Sequence, residues 1–147
     1  MLWLLLLLPF IAILIFFKLS QFSWIRKSFD LPWFYLVVGH DLGKKQKKVF
    51  LKYKGINGCP DALFKHILLP IYVVGEAKGR KHNNLVRSSE AYQVQLYLGI
   101  ISKQHFFSSV RGIIKYKDIN VQIPYCKKTF NNLVCLKPKA IKALSLV

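Results

Sequence analysis

Acidic residues are scarce in this sequence of 147 residues. Asp and Glu together number 6, whereas Lys and Arg number 23, which gives a formal net charge of +17 at pH 7. This excess of positive charge argues against an ordinary soluble enzyme. It indicates a polyanionic partner, either nucleic acid or anionic lipid headgroups. Because 53% of the residues are apolar, the chain is not a disordered basic tail, and we expect a folded hydrophobic core.

Cysteine is also infrequent, and its placement suggests no metal or redox motif. Cys59, Cys126 and Cys135 include no Cys-x-x-Cys pair, and no histidine lies near them at the spacing of zinc ligands. We interpret them as reduced thiols in the cytoplasm. A disulfide between Cys126 and Cys135 in an exported protein is the alternative.

The first seventeen residues contain no charged or strongly polar side chain. As a helix rising about 1.5 Å per residue they would be roughly 26 Å long, near the lower limit for crossing a bilayer core of about 30 Å. A cleaved signal peptide is the less favoured alternative, because no basic residue precedes the apolar run and no small-x-small cleavage site follows it. Lys18, Arg26 and Lys27 follow the run, so the positive-inside rule predicts a single-pass membrane protein whose C-terminal domain is cytoplasmic.

Three segments are therefore predicted. Residues 1–24 form a transmembrane anchor, residues 25–43 a juxtamembrane connector, and residues 44–147 the main domain. Within the connector, the aromatic run at residues 33–38 predicts a short buried helix or strand, and residues 39–43 a turn.

The main domain contains strand signals on both sides of one helix signal. Basic and apolar residues alternate over residues 48–56, which is typical of a strand with one solvated face. Two further strands follow, joined by a bend at residues 68–70. Apolar residues at helical spacing predict a helix over residues 87–103, and two more strands follow with a turn at residues 117–120. We expect the order strand, strand, strand, helix, strand, strand.

Two carboxylates are predicted to meet at the open end of the hairpin formed by the second and third strands. If the hairpin closes at residues 68 and 69, antiparallel register places Asp61 close to opposite Glu76. Lys78 shares a face with Glu76, because side chains alternate along a strand. Neighbouring carboxylates repel each other unless a cation joins them, and hard oxygen ligands suit Mg²⁺ or Mn²⁺. A surface ion pair between Glu76 and Lys78 is the alternative.

Three short motifs follow one another along this domain: Gly-Cys-Pro-Asp ending at Asp61, Gly-Glu-Ala-Lys ending at Lys78, and Gln-Val-Gln-Leu-Tyr at residues 93–97. In this order they resemble the PD-(D/E)xK nuclease superfamily, most closely the RecB-type nuclease domains and the CRISPR-associated exonucleases related to them. Residues 111–118 are similar to the Gly-x-hydrophobic-x-Tyr strand that follows the helix in those proteins. The resemblance covers about residues 45–125 and implies a restriction-endonuclease-like mixed α/β sheet with a flanking helix, preceded here by the transmembrane helix.

The resemblance also implies a role for each matching residue. The implied metal ligands are the side chains of Asp61 and Glu76 and the backbone carbonyl of Ala77. The implied catalytic residues are Asp61, Glu76, Lys78, Gln93 and Tyr97. Gln93 falls on the glutamine of the family's Gln-x-x-x-Tyr motif, and Tyr97 follows one helical turn later, so both would face the site.

The sequence departs from the family in two respects. Members usually have an acidic residue or a histidine on a helix before the first strand, for which the candidates are Asp30, His40 and Asp41. We choose His40 as a further metal ligand, with an ordinary turn histidine as the alternative. The CRISPR-associated members hold an iron-sulfur cluster with four cysteines, whereas this chain has three, and Cys59 lies within the Asp61 motif. We therefore predict Mg²⁺ or Mn²⁺ and no iron-sulfur cluster.

Basic residues flank the predicted site in the sequence. They would contact the phosphates of a nucleic acid without base specificity and with a steep salt dependence, the alternative being a solvated face. The lysines between residues 127 and 142 would extend this surface or contact anionic lipid. The predicted phosphate-binding residues are Lys44, Lys45, Lys47, Lys48, Lys52, Lys54, Arg80, Lys81 and Arg87.

These features favour a membrane-anchored, metal-dependent nuclease that hydrolyses phosphodiester bonds of DNA, with RNA as a second substrate to be tested. Two alternatives belong to other classes: a non-catalytic, membrane-tethered nucleic-acid-binding module, and a basic membrane component of a secretion or conjugation apparatus. Both account for the charge and the anchor, but neither requires the three motifs in this order. No protein partner is indicated.

Overall fold

The computed structural model describes residues 22–43 and 46–144, with side chains as far as residue 138, and these residues form a mixed α/β domain. The mixed α/β class is the one predicted from the sequence. In chain order the elements are α1 (Ser23–Ser28), β1 (Tyr35–His40), β2 (Leu51–Tyr53), β3 (Ile56–Gly58), β4 (Ala62–His66), β5 (Ile71–Ala77), α2 (Ser88–Gln104), β6 (Ser109–Lys115), β7 (Asn120–Pro124) and α3 (Lys127–Leu144).

Five strands form one mixed sheet in the order β1-β4-β5-β6-β7. β4 pairs antiparallel with β1 and β5, β5 pairs parallel with β6, and β7 returns antiparallel to β6. The parallel pair requires a crossover connection, which α2 supplies. β2 and β3 form a separate two-stranded ribbon.

The hairpin of β4 and β5 has the predicted register. Lys65 pairs with Tyr72 and Ala62 pairs with Gly75, so that the next residues outward are Asp61 and Glu76. The bend lies between the strands at residues 67–70, as predicted, and includes a proline that cannot donate to the ladder. This register brings the start of β4 beside the end of β5.

The segment predicted as one strand over residues 48–56 forms the β2–β3 ribbon instead. The chain reverses at Lys54 and Gly55, whose φ values are both positive, at 47° and 73°. A two-residue turn with left-handed values at both positions matches the twist of an antiparallel ribbon. Alternation alone did not indicate the turn, because a lysine occupies the first of the two left-handed positions.

Both faces of the sheet are covered by helices. α2 packs on one face together with the ribbon and α3, and α1 packs on the other. On the α2 face the buried residues include Leu63, Val74, Val94, Tyr97, Leu98, Ile101 and Ile114. On the α1 face they include Ile25, Phe29, Ala62, Phe64, Val73 and Ile113. The two faces of β4 and β5 therefore carry alternate residues into two separate cores.

The segment predicted as a connector belongs to the same folded body as the main sheet. β1 pairs with β4 from Tyr35 opposite His66 to His40 opposite Ala62, and α1 covers the sheet. The predicted transmembrane anchor, residues 1–24, lies outside the described residues except for its last three positions. Among residues 22–43 and 46–144, no helix is long and apolar enough to cross a membrane.

Candidate active site

One edge of the sheet brings together polar residues from β4, β5 and α2. Asp61 immediately precedes β4, while Glu76 lies near the end of β5 and Lys78 directly follows that strand. Gln93 and Tyr97 lie one helical turn apart on α2, on the side that faces β5. The sequence separates these residues by as many as 36 positions, but the hairpin and the crossover helix group them.

Glu76 lies at the centre of this group and is only 4% exposed. Its Oε1 accepts hydrogen bonds from Lys78 Nζ at 3.0 Å and from Gln93 Nε2 at 2.7 Å. Lys78 Nζ also donates to Gln93 Oε1 at 3.2 Å, which closes a three-membered network. Glu76 Oε2 is buried and has no hydrogen-bond partner among the residues that the structure describes. A buried carboxylate oxygen without a donor is costly, so this atom is suited to a further ligand such as a cation.

Asp61 joins the group through the backbone of β5. Its Oδ2 accepts a hydrogen bond from the Ala77 N–H at 2.7 Å. Because the N–H and C=O of a strand residue point to the same side, the Ala77 carbonyl is directed toward the side on which Asp61 lies. The Asp41 N–H donates to the Asp61 carbonyl at 2.9 Å and fixes the end of β1 beside it. The residues predicted as carboxylate and carbonyl ligands therefore lie at one end of the β4–β5 pair.

The electrostatics of the site favour the protonated form of Glu76. Burial raises the pKa of Glu76, and the neighbouring negative charge of Asp61 raises it further, whereas Lys78 and Gln93 lower it. A carboxyl pKa raised by burial and by a like charge is typical of functional sites. A cation bound at the two carboxylates would offset the repulsion between them.

Tyr97 supports the group from the helix side. Its hydroxyl accepts a hydrogen bond from Gln93 Nε2 at 3.1 Å and donates to the Cys59 carbonyl at 3.4 Å. Burial raises the pKa of Tyr97 and is the largest effect on it. The hydrogen bond from Gln93 lowers this pKa, and the charge of Glu76 raises it further. Tyr97 is therefore a neutral hydroxyl near pH 7 that orients Gln93.

Gly58, at the end of β3, leaves room for Tyr97. A Cβ at Gly58 would overlap the Tyr97 ring, whereas a Cβ at Gly79 would meet nothing within 4 Å. We expect Gly58→Ala to lower the free energy of unfolding by about 1–3 kcal/mol, because the ring or the ribbon must move. Gly79→Ala is the matched control and should change it by less than about 0.5 kcal/mol. Urea denaturation of both variants measures this difference, and equal effects would contradict the packing role of Gly58.

His40 does not join the carboxylates. An extra residue at Val38 forms a β-bulge in β1, so His40 pairs with Ala62 instead of continuing the register to Asp61. Its ring therefore lies on the α1 face of the sheet, with Nδ1–H donating to the Leu42 carbonyl at 2.9 Å and a phenylalanine ring 4.6 Å away. The structure thus does not support the prediction that His40 binds the metal with Asp61.

The donors that remain suit a magnesium site of the open type. In the part of the chain that the structure describes, no three His, Cys, Asp or Glu side chains are grouped closely enough to hold a metal ion. Mg²⁺ usually binds one or two protein carboxylates and completes its coordination with water and substrate phosphate oxygens. Asp61, Glu76 and the Ala77 carbonyl are hard oxygen donors of this kind, and the unpartnered Glu76 Oε2 fits the role.

The residues predicted to bind phosphate differ in their surroundings. Lys44 and Lys45 lie outside the described residues. Six others are exposed to solvent: Lys47, Lys48, Lys52, Lys54, Lys81 and Arg87. Arg80 is only partly exposed and makes contacts within the chain instead.

Arg80 is held by Glu90 of α2. Its Nε donates to Glu90 Oε1 at 3.2 Å and its Nη2 to Glu90 Oε2 at 2.7 Å, while the guanidinium lies 4.8 Å from the Tyr116 ring centroid. The Tyr116 hydroxyl donates to Glu90 Oε2 at 2.7 Å. This network links the loop after Lys78 to α2 and to Tyr116, the residue that follows β6. Sequence reasoning assigned Glu90 no role in the site, although its spacing from Gln93 places both on one side of the helix.

Comparison with known proteins yields structural similarity at low sequence identity. The chain matches no protein-family model and no curated protein. The solved structure of SSO0001 is similar over 85% of this chain and 57% of that one, with 18% sequence identity and a TM-score of 0.40. This chain therefore spans little more than half the length of that protein.

Proposed function

We propose that the chain is a membrane-anchored, metal-dependent nuclease of the PD-(D/E)xK type that hydrolyses phosphodiester bonds of DNA. The observation that supports this most strongly is the grouping of Asp61, Glu76 and Lys78 at one end of the β4–β5 pair, with Gln93 bonded to both Glu76 and Lys78. These are the residues of the motifs that carry the resemblance to the family. A surface ion pair would need neither the burial of Glu76 nor the convergence of Asp61.

Asp61, Glu76 and the Ala77 carbonyl would hold Mg²⁺ or Mn²⁺. When bound there, the ion would polarise the scissile phosphate and lower the pKa of an attacking water molecule. Only the ionised carboxylate is a metal ligand, and burial raises the pKa of Glu76, so cation binding should become stronger as the pH rises through the titration of this side chain.

Lys78 supplies the positive charge of the site. Its ammonium is shared between Glu76 Oε1 and Gln93 Oε1, at 3.0 and 3.2 Å. A phosphate bound beside Glu76 would gain a hydrogen bond from this ammonium that strengthens as negative charge develops on the phosphoryl oxygens. Gln93 holds both side chains in orientation and is itself oriented by Tyr97, so positioning depends on α2.

The charge of the chain supports a polyanionic substrate. With a net charge of +17 and exposed lysines on the segments next to the site, phosphate contacts would attract DNA independently of its sequence. The apolar first seventeen residues and the basic residues that follow them support a single-pass anchor with the domain in the cytoplasm, where chromosomal or plasmid DNA is available.

A cleavage assay tests the proposal directly. The full chain, purified in a non-ionic detergent, should cleave DNA in the presence of Mn²⁺ or Mg²⁺ and be inactive in EDTA, with RNA of the same sequence as a second substrate. The cation should also raise the unfolding temperature, because a ligand at a hundredfold excess over its Kd stabilises the folded state by about 2.7 kcal/mol. Tight DNA binding without metal-dependent cleavage of any substrate would contradict the proposal and favour the non-catalytic binding module.

A further inference from the structure

An exposed phenylalanine lies among exposed lysines along β2 and the segments that flank it. Val49, Leu51 and Tyr53 pack against the core, whereas the residues that alternate with them in the sequence are exposed. We name these exposed residues the basic-aromatic stripe: Lys48, Phe50, Lys52 and Lys54. Phe50 is 69% exposed. A large ring kept in water between cations is an informative departure from the usual burial of phenylalanine.

One end of the basic-aromatic stripe adjoins the candidate active site. Lys48 Nζ lies 3.0 Å from Asp41 Oδ1, and the Asp41 N–H donates to the Asp61 carbonyl at 2.9 Å. β3, the other strand of the ribbon, leads directly to Cys59. The Cys59 carbonyl accepts a hydrogen bond from the Tyr97 hydroxyl. Two separate contacts thus connect the ribbon to the residues around the carboxylates.

The other end of the stripe continues onto α3. Lys137 Nζ donates to the Lys54 carbonyl at 3.2 Å, which places a further cation at the turn of the ribbon. Lys48 and Phe50 precede β2, Lys52 lies within β2, and Lys54 begins the turn that follows it. The stripe therefore places exposed lysines on both sides of the Phe50 ring along the chain.

We propose that the basic-aromatic stripe binds a single strand of nucleic acid and guides it to the active site, with the lysines on phosphates and a base stacked on Phe50. This inference rests on the proposed function. Lysines alone would attract duplex and single strand alike, because both present phosphates. An exposed aromatic ring selects the single strand, whose bases offer free faces for stacking, whereas the bases of a duplex are already stacked on one another.

Phe50→Ala tests the stripe without involving the catalytic residues. Binding is measured in EDTA by fluorescence anisotropy of a labelled single-stranded DNA, the matched duplex and a single-stranded RNA, with the full chain in non-ionic detergent. We expect Phe50→Ala to weaken single-strand binding roughly 5- to 100-fold, and duplex binding by less than about twofold. Phe50→Trp should keep the single-strand affinity of the wild type, whereas Phe50→Leu should weaken it as Phe50→Ala does. Phe107→Ala, at a phenylalanine that is 89% exposed and lies after α2, is the matched control and should change neither affinity.

The outcomes separate this inference from the proposed function. An equal loss of single-strand and duplex binding in Phe50→Ala, or full affinity in Phe50→Leu, would overturn the stacking proposal. Weaker binding of Phe50→Ala to vesicles of anionic phospholipid, with unchanged affinity for DNA and RNA, would overturn it in favour of a lipid contact. Single-strand binding that depends on Phe50 but is never followed by cleavage would support the stripe and contradict the nuclease. Metal-dependent cleavage that is indifferent to Phe50 would contradict the stripe alone.

Discussion

Glu76→Gln and Asp61→Asn are each expected to abolish metal-dependent cleavage of DNA. Both substitutions keep the size of the side chain but remove a negative charge that would hold the cation at the end of the β4–β5 pair. Since Lewis-acid catalysis contributes several kcal/mol, and each 1.36 kcal/mol is a factor of ten in rate, the loss should be about 10³-fold or more. The rate is measured with the full chain at saturating Mn²⁺.

Three further readouts show whether such a loss comes from the site or from unfolding. DNA affinity in EDTA should be equal or slightly higher, because the basic surface is intact and one negative charge is gone. The cation-induced rise in unfolding temperature should disappear. Because the folded-state pKa of Glu76 is raised, the ionised side chain opposes folding once the pH exceeds its unfolded value, so Glu76→Gln should be at least as stable as wild type at pH 7. Cleavage that persists in both variants would refute the assigned ligands.

Of the substitutions proposed for this chain, removal of the Glu90 carboxylate is expected to cause the largest decrease in the free energy of unfolding. Glu90→Ala leaves the guanidinium of Arg80 without its ion pair and the hydroxyl of Tyr116, a residue only 2% exposed, without an acceptor. A buried donor left unsatisfied costs about 1–3 kcal/mol, and the lost ion pair adds to this, so we expect a decrease of about 2–4 kcal/mol in the free energy of unfolding. Urea denaturation at pH 7 measures it.

The same network predicts how stability depends on pH. Burial by itself raises the pKa of Glu90, but hydrogen bonds from Arg80, Tyr116 and the Arg87 N–H lower it from 4.5 to about 2. A depressed carboxyl pKa contributes stability that is present above pH 4.5 and is lost as the pH falls toward 2. Wild type should therefore lose about 3 kcal/mol more than Glu90→Gln over this interval. Parallel pH profiles of the two proteins would contradict the network.

The control for the Glu90 variants is Asp30→Asn. Asp30 is an exposed residue after α1, and its Oδ2 accepts a hydrogen bond from Asn120 Nδ2 at 2.5 Å that the amide oxygen of an asparagine can also accept. Its left-handed backbone, with φ of 52°, is one that asparagine adopts readily. We expect its effect at pH 7 to stay within about 0.5 kcal/mol. If Asp30→Asn changes the stability as much as Glu90→Ala does, the loss would reflect the net charge of the chain and not the pairing of Glu90.

The register of the β4–β5 hairpin was predictable from the sequence because it is a local property. In an antiparallel hairpin the position numbers of paired residues sum to a constant, so the position of the bend sets the partner of every strand residue. With the bend near Pro70, this left one pairing, in which Asp61 lies beside Glu76. The helical spacing of Gln93 and Tyr97 was readable for the same reason.

The position of His40 was not predictable in this way. Regular pairing of β1 with β4 would have set His40 opposite Asp61, but the bulge at Val38 shifts it to Ala62 and to the other face of the sheet. Gly39 packs against Val49 and the backbone of the following segment so closely that a Cβ there would overlap them. The bulge is thus related to a contact made by a later part of the chain, which strand periodicity does not register.

By itself, the sequence determined the pairing of β4 with β5, the helix that carries Gln93, and the excess of positive charge, because each depends on composition or on neighbours close in the chain. Only the tertiary structure decided that Glu90 joins Arg80 and Tyr116, that Phe50 stays in water, and that His40 leaves the carboxylates. The physical reason is common to all three. Burial and pairing depend on which distant segments pack together, and a single strand or helix segment carries the same local pattern whether its outer face meets solvent or another element.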